Sequence, residues 1–167
     1  MEALTPKGRE SDLGIFAINQ SYLSLEKVMK KSLFYRLFGW GKIPKKYLPI
    51  LEDEGIVLHE DGISGSITFK SFRAPGRYHS WKRNWFVGSI VITDKTFAAF
   101  SLMKPLIYVL LDQKEMLELH CTLEKENTLL ITYDASAFND KWSGTIECRF
   151  KTDKAMLFLE KLPGSVA

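Results

Sequence analysis

The chain reads as a mainly β protein: a meander of seven or eight short antiparallel strands closed by one C-terminal helix, preceded by an N-terminal helical extension. Two observations carry this. Residues 85–100, WFVGSIVITDKTFAAF, have the form of a β-hairpin. Gly88, Ile90 and Ile92 fall on one face of its first strand, and Ser89, Val91 and Thr93 fall on the other. Asp94 and Lys95 make the turn, and Thr96 to Phe100 return. At the other end, Ala155, Phe158, Leu159 and Leu162 have the i, i+3, i+4, i+7 spacing of an amphipathic helix.

Residues 1–20 are polar and contain Pro6, Gly8 and Gly14, which predicts a loose tail. Residues 22–38, YLSLEKVMKKSLFYRLF, follow a helical period. Ser21 supplies a cap, and Tyr22, Leu25, Met29 and Leu33 form an apolar stripe. Gly39 and Gly41 break this helix. Pro49 to Glu54 predicts a short helical turn that stops at Gly55, although Glu52, Asp53 and Glu54 at its end oppose the helix dipole.

The β region begins at Ile56. Ile56 to Glu60 reads as a short strand and Asp61-Gly62 as a turn. Ile63, Gly65, Ile67 and Phe69 share one face of the next strand. In Ala74-Pro75-Gly76-Arg77, proline fixes φ and glycine accepts a positive φ, which is the signature of a turn. Leu106 to Leu111 is a continuous apolar run, read as a buried strand. Leu117, Leu119, Cys121 and Leu123 alternate with Glu118, His120, Thr122 and Glu124 as a half-buried strand. Leu129, Ile131 and Tyr133 repeat the pattern, and so do Ile146, Cys148 and Phe150 after the polar loop 134–144. Thr152 caps the last helix, and Pro163-Gly164 ends it. Domain organisation follows: 1–55 is a tail with a basic helical extension, and 56–164 is the β-domain.

With 167 residues, 46% hydrophobic and 26% charged, the chain has material for one well-packed domain. Its net charge of +3 is uneven. The first 50 residues hold nine Lys or Arg against four Asp or Glu, and the remaining 117 hold 14 against 16. No apolar run approaches the ~20 residues that span a bilayer, and the first residues lack the pattern of a signal peptide. Cys121 and Cys148 belong to no CxxC pair and lie on apolar strand faces. They are read as free, buried thiols of a cytosolic protein, with no metal site.

A Gly, a hydrophobic strand ending in Thr, a turn and a return strand make up Gly88 to Phe100. Together with the strand order and the last helix, this stretch resembles the GRAM and bacterial pleckstrin-homology-like families of the pleckstrin-homology-like superfamily. The resemblance covers about residues 56–162. It implies a bent antiparallel barrel capped by the last helix. It also implies binding to a lipid surface or a protein in place of catalysis, with an anionic group held by a basic loop between early strands. The corresponding stretch here runs from Arg73 to Trp85.

That stretch carries Arg73, Arg77, Lys82 and Arg83, with Tyr78, His79, Trp81 and Trp85 between them. Arginine offers a bidentate fork to phosphate or carboxylate, and tryptophan suits a surface wet on one side. Arg73, Arg77, Lys82, Arg83 and Trp81 are therefore candidates for binding an anionic ligand. A solvated loop whose aromatics pack on the domain is the plainer reading. The second candidate is 27–46, with seven Lys or Arg and no acid. There Phe34, Phe38, Trp40, Lys42, Lys45 and Lys46 are candidate contacts to a surface, a partner or a second copy. If the two basic groups converge, they form one anionic-surface site.

No nucleophile elbow, P-loop or metal motif is present, and His59, His79 and His120 are scattered. The expectation is a non-enzymatic binding or scaffolding module of the cytoplasm, without cofactor or catalytic residues, peripheral to a membrane or bound to a protein. The alternative is a small-molecule or lipid carrier using the barrel interior. The balance of −2 beyond residue 50 argues against nucleic acid.

Overall fold

The computed structural model describes residues 39–163. The expected tail, the 22–38 helix, Phe34 and Phe38 lie outside them. A short helix, α1 (Leu48–Asp53), precedes β1 (Ile56–Ala74), β2 (Arg77–Thr93), β3 (Thr96–Ser101) and β4 (Lys104–Leu110). Next come a one-turn helix α2 (Lys114–Leu117), β5 (His120–Lys125), β6 (Thr128–Asp134), a 3-10 turn at Ala135–Ala137, β7 (Ser143–Lys151) and α3 (Ala155–Lys161).

All seven strands form one antiparallel sheet in the order β4-β3-β2-β1-β7-β6-β5. The sheet is open. Its outer strands, β4 and β5, do not pair with each other, so the expected closed barrel is corrected to an open sheet. Met116 and Leu119, in the connection between these strands, are buried in the main core, so side-chain packing occupies that seam.

Among the described residues the strand count is seven because 56–60 and 63–69 belong to one strand of 19 residues. Asp61-Gly62, expected as a turn, is a bulge. The register against β2 shifts between Asp61 and Ile63, and Gly62 has φ 71°. Glycine takes that conformation without steric cost, so one extra residue is absorbed and the strand continues. The hairpin turn falls at Pro75-Gly76, with Gly76 at φ 74°. Leu117 is a second correction. It ends α2 and is exposed, and the strand starts at His120.

The main core lies on one face of the sheet. Ile90, Ile92, Phe97, Leu129, Ile131, Cys148 and Phe150 meet Ala155, Phe158, Leu159 and Leu162 of the α3 region there. The apolar stripe of α3 is buried as its spacing predicts, and α3 packs on β5 and β6. The Thr152 hydroxyl accepts the Lys154 N–H at 3.0 Å, ahead of the first turn.

A smaller cluster covers the opposite face of β2 and β3. Ile43 and Leu51 pack there on Val91, Ala98 and Phe100, and the Tyr47 ring lies 5.1 Å from that of Phe100. Thr93 donates to Glu54 Oε2 at 2.7 Å and accepts the Thr96 N–H at 2.7 Å. One carboxylate at the end of α1 is thereby held by the β2–β3 turn. Among the described residues, this cover does not extend over β7, β6 and the distal part of β1.

Candidate functional site

The expected loop 73–85 is strand. The β1–β2 pairing continues without a break from Ile63↔Gly88 to Lys70↔Trp81, is interrupted at Ser71 and Ser80, and resumes from Phe72↔His79 to Ala74↔Arg77. β3 pairs only with Gly88 to Ile92. Among the described residues, β2 from Arg77 to Trp85 therefore has a strand on one side only.

Strand alternation puts Trp81, Arg83 and Trp85 on one face and Lys82 on the other. Trp81 is 59% exposed, Trp85 70% and Tyr78 59%. The Arg83 guanidinium lies 5.4 Å from the centre of the Trp81 ring, and its Nε donates to Thr68 Oγ1 at 3.0 Å. Arg73 sits likewise 5.4 Å over Tyr78. Arg73, Arg77 and Tyr78 line a cleft of about 530 Å³ at the hairpin tip. His79 has a packing role: its ring stacks on Phe72 at 6.3 Å. Ser71, at φ 48°, turns the chain so that Phe72 also meets Phe69, three residues earlier.

Beside Arg83 runs a polar strip that the sequence reading missed. Thr68 on β1 is opposite Glu147 on β7, and Glu147 is opposite Thr132 on β6. Glu147 is ion-paired with Lys70 and accepts from Arg149 Nη1 at 2.9 Å. Arg149 Nε also donates to Glu124 at 3.0 Å. Burial alone would raise the Glu147 carboxyl. The hydrogen bonds from Lys70 and Arg149 outweigh it and hold the group below the ordinary carboxylate range. A groove of about 470 Å³ lies between Trp85 and Arg83 on one side and Glu124, Lys125 and Arg149 on the other, with Ser66 and Thr128 among its lining. Opposite charges two residues apart at Glu147 and Arg149, on the outward side of a strand, were the available signal.

Trp40, Lys42 and Lys45 lie elsewhere. They line an apolar groove of about 690 Å³ with Ile43, Leu48, Ile56, Asp61, Leu102 and Met103. Lys46 lies 5.5 Å over the Tyr47 ring. Asp61 and Arg73 are twelve residues apart on β1, roughly 40 Å of strand path at ~3.3 Å per residue. The structure thus brings Arg73 together with Arg77 and Tyr78, and Trp81 with Arg83. It does not bring them to Lys42, Lys45 and Lys46.

Cys121 and Cys148 are free and buried, and burial pushes both thiols up to about 12. Among the described residues no three His, Cys, Asp or Glu side chains are grouped to hold a metal ion, and no helix is long and apolar enough to cross a membrane. Comparison with protein-family models, with curated proteins and with solved structures returned no match.

Proposed function

We propose that this protein is a non-enzymatic binding module of the pleckstrin-homology-like type, acting in the cytoplasm. Its contact surface is the distal half of the β1–β2 hairpin, and its partner is anionic. One observation carries the reading. Residues 62–93 hold no Asp or Glu and four Lys or Arg besides the Lys70 that pairs with Glu147, and the same hairpin exposes Trp81 and Trp85. Clustered cations supply attraction and on-rate, and exposed tryptophan supplies contact area that water covers poorly. The antiparallel meander with its helix last supports the module type. Buried thiols and an ion-paired Glu147 offer no activated nucleophile or base to an enzymatic reading. A carrier would need a hollow interior, and Phe97, Phe150 and Phe158 fill the core completely buried.

Tryptophan emission during titration with poly-glutamate, with anionic vesicles and with neutral vesicles tests the reading. We expect a saturable, salt-sensitive response to at least one anionic partner and none to neutral vesicles. The response is lost in Arg77→Glu/Lys82→Glu, a pair of exposed positions whose exchange leaves the core untouched. Silence with both anionic partners, or an equal response to neutral vesicles, refutes it.

A further inference from the structure

The distal edge of β2 has a definite hydrogen-bonding parity. Leu102 donates its N–H to the Val87 carbonyl at 3.3 Å, so the backbone groups of Val87 point away from β1. Along a strand that direction repeats every second residue. Trp85, Arg83 and Trp81 therefore turn their N–H and C=O outward as well; beyond them the alternation breaks at Ser71, since His79 shares a face with Phe69 and Phe72. β3 has left by then, its last pair being Gly88↔Ser101. Three residues thus present a row of strand edge about 14 Å long, four intervals at ~3.4 Å. The two outermost strands are poorer templates: β4 contains Pro105 and β5 has only six residues, Glu124 among them.

We propose that this edge takes up an extended acidic segment of a partner protein, added beside 81–85 as an eighth strand. The proposal rests on the reading of this hairpin as an anion-binding surface and specifies its partner. Main-chain hydrogen bonds along an open edge provide affinity, and alternate side chains provide specificity.

Charge selects the occupant. The edge carries Lys82 and Arg83, with Arg77 at the hairpin tip; the hairpin from 62 to 93 has no carboxylate of its own, and Glu124 and Glu147 beside it are ion-paired with Arg149 and Lys70. A second copy would set these cations against their own duplicates. A lipid surface offers phosphate but no ladder of N–H and C=O groups in strand register. Trp81 and Trp85 project from the same face on either side of Arg83. An incoming carboxylate opposite Arg83 enters the gap between the two rings, and Thr68 occupies only the Nε of that guanidinium.

The test uses the full chain and an eleven-residue peptide of alternating Thr and Glu, capped at both ends and labelled with fluorescein. A second peptide of the same sequence is N-methylated at every backbone nitrogen, so it keeps each charge but cannot donate. We expect the N-methylated peptide to bind at least tenfold more weakly. Amide hydrogen exchange with the unmodified peptide slows at least tenfold at Trp81, Arg83 and Trp85. Lys82 and Asn84, whose groups face β1, change little. Equal binding of the two peptides, or protection without this alternation, overturns strand addition and leaves the anionic surface standing. Binding of anionic vesicles with no binding of either peptide overturns it in favour of lipid. No response to any anionic partner removes the underlying reading as well.

Discussion

Gly88→Ala isolates the point where β3 parts from β2. A Cβ at Gly88 would lie 1.9 Å from the Phe100 carbonyl oxygen and 3.0 Å from its carbon. An ordinary C···O approach is about 3.3 Å, so β3 must retreat by about 1.4 Å. Hydrogen bonds of ~2.9 Å do not survive that displacement. The parity set by Val87 and Leu102 makes Ser89↔Phe100 a pair that exchanges two hydrogen bonds, and the Val87–Leu102 bond adjoins it. Three bonds at about 1 kcal/mol net each give an expected loss of about 3 kcal/mol. With a urea m-value of about 1.5 kcal/mol/M, the unfolding midpoint falls by about 2 M. Gly76→Ala is the control. It meets nothing within 4 Å but holds φ at 74°, so it carries only the left-handed penalty of about 1 kcal/mol. If Gly88→Ala proves the milder of the two, the steric argument is wrong.

Two further outcomes follow from the buried charge and the buried thiols. The Glu147 carboxyl is depressed below its ordinary value of 4.5, so it stabilises the fold above that pH and stops doing so as pH falls through its folded value. Glu147→Gln should therefore cost about 1–2 kcal/mol at pH 7, a charge-assisted hydrogen bond discounted because the Lys70 side chain is 47% exposed. In urea unfolding at pH 3 the gap to wild type should narrow, and an equal gap at both pH values would count against the ion pair. Cys121 and Cys148 should label slowly with a thiol reagent in the native protein and quickly in denaturant, since both are buried and both pKa values lie near 12. Rapid native labelling of both would mean that the registers of β5 and β7 are misplaced.

Local chemistry made the 85–100 hairpin, the paired faces of β6 and β7 and the stripe on α3 legible, because each is fixed by residues within a few positions of one another. Asp61-Gly62 misled for a local reason too: the dipeptide that closes a hairpin also supplies the positive φ of a bulge, and only pairing with β2 and β7 decides between them. The 73–85 segment looked like a loop because its aromatic and basic residues do not alternate apolar with polar. An edge strand with little burial imposes no such alternation. Leu117 kept the period of its neighbours but lies before the strand. Openness of the sheet depends on whether β4 meets β5, which no stretch of sequence encodes. The Lys70–Glu147–Arg149–Glu124 strip joins β1, β7 and β5, and its members are ordinary exposed charges until the sheet is assembled.

The placement of β1 between β2 and β7 imposes an order in time on a chain made from its N-terminus. β1 to β4 can pair as soon as they emerge. The other side of β1, however, waits for a strand that begins at Ser143, 69 residues after β1 ends at Ala74. At roughly 5–20 residues per second, that side stays unmatched for about 3–14 s of synthesis. Ser66 and Thr68, which lie nearly or wholly inaccessible beside β7 once folding is complete, are wet throughout that interval. Polar residues at these positions let a nascent chain carry an unfinished sheet in water, where valine or isoleucine would present a sticky strand to its neighbours.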